Sequence, residues 1–199
     1  MKKLVVITGG TKGIGRALVE RFATAGFDVA TCARNEVDLR ELKTSVENRT
    51  GQSVFIFQAD MSVKEQVKQF CDDVINLKCD VEVLINNAGF FIPGSLATEP
   101  DGVLERMIEA NLYSAYQVTR GFINGMMNRR AGHIFNVCSI ASIKAYPNGG
   151  AYAIAKFGLL GFTKCLREEM KEYGVRVTAV LPGATLTDSW AGVDLPEAR

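Results

Sequence analysis

Six short apolar runs, rich in β-branched residues, alternate with amphipathic stretches along nearly the whole chain. They are Leu4 to Thr8 (LVVIT), Val29 to Cys32, Val54 to Gln58, Val81 to Ile85, His133 to Cys138, and Val175 to Leu181. Between the first two, Ile14, Leu18, Phe22 and Ala25 recur at spacings of three and four and predict a helix that stops at Gly26. Further helices are predicted over about 36–49, 63–77, 101–127 and 152–172. Ser62, with Glu65 three residues on, reads as the N-cap of the third. Strands this continuously apolar need cover on both faces. The prediction is therefore an α/β chain: one doubly wound parallel sheet with helices on both faces, a three-layer α/β/α sandwich.

The 199 residues suffice for one domain with a sizeable core and leave little room for a second. Lysine and arginine number 23 against 22 acidic residues, with His133 the lone histidine, so no basic field points to nucleic acid or an anionic membrane. The longest uncharged stretch, Val83 to Thr98, is broken by Asn86, Asn87, Gly89, Pro93 and Gly94 and is too short to span a bilayer. Five cysteines (32, 71, 79, 138 and 165) show no C-x-x-C spacing, so free thiols in a reducing, cytoplasmic setting are expected. The strand pattern begins at Leu4, so no signal peptide is expected ahead of it. After the sixth strand, LTDSWAGVDLPEAR carries little periodicity, and part of the C-terminal region is expected to be missing or disordered.

The first strand runs directly into Thr8-Gly9-Gly10-Thr11-Lys12-Gly13-Ile14-Gly15 and a helix. Glycines at 9, 13 and 15 allow a tight turn, close approach of a pyrophosphate and close helix packing, while the helix start presents unpaired N–H groups to the phosphates. The Lys-Ser/Thr ending of an ATP-binding phosphate loop is absent. A carboxylate at the end of strand two would repel a 2′-phosphate, but that strand ends Thr31-Cys32-Ala33-Arg34-Asn35. Arg34 can meet such a phosphate with two hydrogen bonds, and Lys12 can add charge, so NADP(H) is expected over NAD(H). The competing reading of Arg34 is a solvated surface side chain.

Tyr152 and Lys156 lie four apart, one helical turn, on one face. An ammonium there is expected to stabilise the phenolate and lower the tyrosine's pKa, making it a usable acid or base. Ser139 lies thirteen residues before Tyr152, at the carboxyl end of strand five, the edge where doubly wound sheets bind ligands. Ser142 is the second-ranked serine.

With these residues in order, the chain resembles the short-chain dehydrogenase/reductase family from residue 4 to about 190, and the implied domain is a Rossmann-type dinucleotide-binding and catalytic unit over 1–199. The family's cofactor turn is matched by TGGTKGIG, its adenine-binding aspartate by Asp60, and its sheet-stabilising motif by Asn86-Asn87-Ala88-Gly89. Asn111 matches the asparagine that interrupts the long helix and holds a relay water. The segment closing over the cofactor is matched by Pro182-Gly183-Ala184-Thr185-Leu186-Thr187. The resemblance implies catalysis by Asn111, Ser139, Tyr152 and Lys156. It implies cofactor contacts from Gly9, Thr11, Lys12, Gly13, Ile14, Gly15, Arg34, Asp60, Met61, Asn87, Ala88, Gly89, Tyr152, Lys156, Pro182, Gly183, Thr185 and Thr187. The implied reaction is hydride transfer between NADP(H) and a carbonyl or secondary alcohol, with no metal. Alternatives are an NAD-dependent secondary alcohol dehydrogenase, a non-catalytic dinucleotide-binding module, and epimerase or dehydratase chemistry.

His133 is expected to be structural, Cys138 a core thiol, and Arg129 with Arg130 a solvated turn. A small-molecule pocket is expected between Phe90 and Phe91, Ile140 to Asn148, and Leu186 to Val193, with Ile143, Tyr146, Pro147 and Trp190 adding to an apolar surface. Phe157, Leu160, Phe162 and Leu166 exceed one buried stripe, and the resemblance suggests a homodimer or homotetramer through the helices near 101–127 and 152–172.

Overall fold

A computed structural model describes residues 3–185. The strands are β1 (Leu4–Thr8), β2 (Asp28–Ala33), β3 (Val54–Gln58), β4 (Val81–Asn86), β5 (His133–Val137) and β6 (Arg176–Val180). All pair in parallel, in the order β3-β2-β1-β4-β5-β6. The helices are α1 (Gly13–Thr24), α2 (Glu36–Thr50), α3 (Lys64–Asn76), α4 (Val103–Ile108), α5 (Ser114–Arg129) and α6 (Gly150–Met170). The order reverses direction between β1 and β4, which opens a crevice at their carboxyl ends.

The alternation of β1 sorts its side chains between two cores. Leu4 and Val6 join Phe70, Val74, Val118, Phe122 and Ile134 under α3 and α5. Val5 and Ile7 join Val19, Ala23, Leu42 and Val46 under α1 and α2. This is the doubly wound sandwich read from the six apolar runs.

A buried polar ladder ties the centre of the sheet to two helices. Asn86 Nδ2 donates to Thr119 Oγ1 (2.9 Å) and to Asn136 Oδ1 (2.8 Å), and Asn136 Nδ2 donates to Thr163 Oγ1 (2.9 Å). Thr163 in turn donates to the Leu159 carbonyl at 2.6 Å. The ladder thereby links β4, β5, α5 and α6, and each buried amide has a reason to sit inside an apolar core.

Two local expectations need correction. Ser62 does not cap α3: its N–H and hydroxyl both go to Asp60 Oδ1, and the helix opens after Val63 with no side-chain cap. The stretch expected as one helix over 101–127 divides into α4, a π-turn at Glu109–Tyr113, and α5. The Arg129–Arg130 turn is exposed as expected, and Arg129 there pairs with Asp80 at 3.0 Å and donates to the Val81 carbonyl. Arg130 likewise donates to the Glu172 carbonyl, holding the turn before β5 against the end of α6. His133 is structural as expected: it stacks on Phe135 at 3.9 Å and shares a hydrogen bond with Thr178. Among the described residues no helix is long and apolar enough to cross a membrane.

Candidate active site

A cleft of about 890 Å³ runs across the carboxyl ends of the strands, from the glycine turn after β1 to the first turns of α6. Its floor is set where β1 and β4 end side by side. Thr8 Oγ1 accepts from the N–H groups of Asn87 (3.0 Å) and Ala88 (2.9 Å). Asn87 Nδ2 returns two bonds, to the carbonyls of Thr8 and Gly9. Gly9, at φ +70°, rests so near Ala88 that a Cβ would come within 3.1 Å of its Cα. Sequence reasoning assigned no role to Thr8; the signal available was a hydroxyl residue where an otherwise apolar strand meets glycine.

At one end of the cleft lie Thr11, Lys12, Gly13, Ile14, Gly15, Arg34, Asp60 and Met61, all predicted from the sequence. The first turn of α1 receives no side-chain cap from Lys12, leaving its N–H groups available to an anion. Lys12 does not stand free beside Arg34: its ammonium lies 3.3 Å from Asp38, which sequence reasoning missed. Asp38 enters the cleft because Asn35 caps α2 by accepting from the N–H groups of Val37 and Asp38, turning that first turn inward. Burial works to raise the Asp60 pKa, but the N–H and hydroxyl of Ser62 and the charge of Arg34 outweigh it and hold the carboxyl below its ordinary value.

The other end holds Ser139, Tyr152, Lys156, Asn111, Phe90 and Phe91, with Asn87, Ala88, Gly89, Pro182, Gly183 and Thr185 between the two. Ser139 follows β5 and caps a short 3₁₀ turn, Ile140–Ser142. Its Oγ accepts from the Ala141 N–H, while the buried Ser142 Oγ accepts from the Ser139 N–H, so Ser142 pins the turn. Cys138, beside Ser139, is buried as expected, and burial raises its thiol pKa. Tyr152 and Lys156 project from α6 to the same place, with Lys156 Nζ 5.6 Å from the centre of the Tyr152 ring. Asn111 lies in the π-turn, where Nδ2 donates to the carbonyls of Phe90 (3.0 Å) and Met107 (3.1 Å). Its Oδ1 is buried without a protein partner among the described residues. That oxygen faces Gly89, where a Cβ would collide with it and lie 3.7 Å from Lys156 Nζ. Thr187, Leu186, Trp190 and Val193 lie outside the described residues, and Ile143 is exposed and does not line the cleft.

The expected lowering of the Tyr152 pKa is overturned. Burial raises it, the side-chain hydrogen bond with Ser139 opposes that only in part, and Tyr146 and Cys138 push it further up. The reason lies in where Lys156 reaches: Nζ donates to the Val137 carbonyl at 2.9 Å and passes over the phenol's ring. Burial also brings Lys156 itself down to about 8. The result is a protonated phenol beside a lysine that releases its proton easily, an arrangement suited to giving a proton to a developing oxyanion.

The model of the family described as short chain dehydrogenase matches residues 3–197. The chain belongs to that family. It is 30% identical to a 3-oxoacyl-(acyl-carrier-protein) reductase of Chlamydia muridarum over 97% of this chain and 78% of the relative. It is 32% identical to a 3beta-hydroxysteroid dehydrogenase 2 of Eggerthella lenta over 98% of this chain and 75% of the relative. Among solved structures, a short-chain dehydrogenase from Sphingobium yanoikuyae in complex with NADPH superposes with a TM-score of 0.91 at 30% identity, covering 98% of this chain and 78% of that one.

The buried lysine predicts a pH dependence of stability. The folded protein releases the Lys156 proton near pH 8, whereas the unfolded lysine keeps it to about 10.5. Between those values the unfolded state binds more protons, so this residue makes stability rise with pH. Cys32 and Cys71, both pushed up to about 12 by burial, act in the opposite sense above pH 9, so the parent–variant difference is the readout. Lys156→Met is expected to be about 1–3 kcal/mol more stable than the parent in urea at pH 7, with the gap closing by pH 10. A gap independent of pH would refute the assignment.

Proposed function

We propose that this chain is an NADP(H)-dependent oxidoreductase that reduces a carbonyl to a secondary or primary alcohol, with Tyr152 as general acid and the reverse reaction using it as base. The observation carrying this reading is that one cleft joins the uncapped start of α1 to the Ser139–Tyr152–Lys156 cluster.

The residues present fit a dinucleotide. The α1 start and the glycine turn suit the pyrophosphate, Asp60 and Met61 the adenine, Arg34 a 2′-phosphate, and Lys156 the ribose next to the nicotinamide. The NADPH complex of the Sphingobium yanoikuyae relative supports the choice of cofactor. When bound, NADPH supplies the hydride that becomes the new C–H bond and leaves as NADP⁺.

On the protein side, Tyr152 gives its proton to the carbonyl oxygen as negative charge develops there. Ser139 Oγ accepts from the Ala141 N–H, and its proton, which otherwise serves the Tyr152 hydroxyl, can turn to the same oxygen. The low pKa of Lys156 lets it return a proton toward Tyr152, and Asn111 Oδ1 provides the acceptor that could link that lysine to solvent. An NAD-linked dehydrogenase is the second reading, and Asp38 favours it to the extent that its carboxylate occupies Lys12.

Tyr152→Phe is expected to lower kcat about a thousandfold while leaving NADPH affinity unchanged by fluorescence titration. Near-normal turnover would refute the role. Arg34→Ala is expected to weaken NADPH binding about tenfold or more with little change for NADH, whereas equal losses would favour the NAD-linked reading.

Two copies are proposed to pair through α5, α6 and the end of the π-turn, where Tyr113, Tyr116, Ile154 and Phe157 are all more than 40% exposed. An exposed apolar cluster of this kind is costly for a monomer. Sedimentation at micromolar concentration is expected to give a dimer or tetramer, and a monomer would end the idea.

A further inference from the structure

Charge is segregated along the cleft. Of its described lining residues, Lys12, Arg34, Asp38 and Asp60 carry charge at the dinucleotide end. At the other end the one ionisable ammonium or carboxylate is Lys156, which is buried and already engaged with the Val137 carbonyl. The wall there is built from Phe91, Pro93, Ile140, Tyr146 and Pro147.

This apolar wall is positioned by the chain. Phe91 stands edge-on to Tyr152, with ring centres 5.1 Å apart and planes at 70°. The Tyr146 ring packs against Gly149, where a Cβ would come to 2.6 Å from it, so the missing side chain at 149 is what seats it. The segment carrying Tyr146 is bridged to the segment after β4 by the Gly94 N–H, which donates to the Asn148 carbonyl at 3.0 Å. The Ile140 N–H donates to the Pro182 carbonyl at 3.0 Å, anchoring the neighbouring turn. Ile140 and Tyr146 are 45% and 40% exposed, an apolar surface held open toward the cleft beside the reacting hydroxyls.

We propose that the substrate is a neutral ketone or aldehyde bearing a flat apolar group, which packs against Phe91, Ile140 and Tyr146, and that Tyr146 selects for it. The proposal rests on Tyr152 being the proton donor of a carbonyl reductase, and narrows that reading to one substrate class. A carboxylate or phosphate next to the carbonyl would give up its hydration in this end of the cleft and meet no free cation among the described residues. A flat neutral group instead exchanges water for ring contacts. Phe91, in edge contact with Tyr152, and Tyr146, seated against Gly149, put two aromatic rings on this wall, and a planar group packs against a ring better than a branched aliphatic one.

The test pairs two compounds of one shape, 2-oxo-2-phenylacetamide and 2-oxo-2-phenylacetate, which differ in charge. Each is reduced with NADPH by the parent protein, and each is titrated onto the Tyr152→Phe protein saturated with NADPH, so that affinity is read apart from intrinsic reactivity. The amide is expected to bind roughly 30-fold or more tighter than the carboxylate. Tyr146→Ala is expected to cost the amide about tenfold in affinity and to raise its KM more than it lowers kcat, with Tyr146→Phe restoring both. Equal or tighter binding of the carboxylate overturns the proposal, as does a Tyr146→Ala variant with unchanged amide affinity. Binding of neither compound also overturns it. In that case, reduction of any other carbonyl by the parent leaves the reductase reading standing, while absence of NADPH binding removes that reading too.

Discussion

One threonine hydroxyl holds the two halves of the cleft together. Thr8 Oγ1, at the end of the central strand, accepts from two successive backbone N–H groups of the turn after β4, and Asn87 answers with two bonds to the turn after β1. Both turns leave the sheet at the point where strand order reverses, so without this latch their N–H and carbonyl groups would face an open crevice unpaired. With it, the glycine turn is fixed against Ala88 and Gly89, and Gly89 in turn sits against Asn111 and beside Lys156. The phosphate-binding end and the proton-transfer end are thus spaced by a short stretch of backbone that this latch holds. A hydroxyl does this without the charge a carboxylate would add to the floor, since its oxygen can accept twice at one point.

Lys156 shows how such a site trades stability for chemistry. Lys156 itself is buried, and Ala155 and Leu159 beside it are fully enclosed. An ammonium placed there loses hydration and regains one carbonyl bond, which is why its pKa falls to about 8. The same burial keeps the Tyr152 phenol protonated. The two shifts move the groups' proton affinities apart, leaving a phenol that holds its proton until an oxyanion develops beside a lysine that gives its own up readily. The π-turn contributes by rotating Asn111 so that Nδ2 is consumed by Phe90 and Met107 while Oδ1 faces the lysine side.

Much of this was legible along the chain because it is written at short range. The six apolar runs, the glycine turn, and the four-residue spacing of Tyr152 and Lys156 are local patterns, and local patterns place elements and faces. The end of each strand then follows from the parallel sheet, which is enough to bring Ser139 and Asp60 to the same edge. What failed depended on partners far apart in sequence or on burial. Ser62 has the right type and spacing for an N-cap, but Asp60 claims its hydroxyl and N–H. Asp38 looks like an ordinary first-turn acid until the fold brings Lys12 beside it. The Tyr152 pKa was misjudged because spacing along a helix fixes neighbourhood and not dielectric: the ammonium is near, yet it bonds elsewhere and the phenol is enclosed.

The electrostatic asymmetry of the cleft follows from the same topology. Its charged end is built where β2 and β3 finish, near the sheet edge, and there Arg34, Asp38 and Asp60 can keep contact with water. Its reacting end lies over β4 and β5, nearer the middle of the sheet, between the segment after β4 and the turn after β5. Charges placed at that depth would need partners, and the polar ladder of Asn86, Thr119, Asn136 and Thr163 already uses neutral groups to satisfy the core below. Keeping the reacting end free of added charge leaves the Tyr152–Lys156 pair as the dominant source of field there. In such surroundings a single proton moved between phenol, lysine and a bound oxygen alters the local potential strongly, because little nearby can screen it.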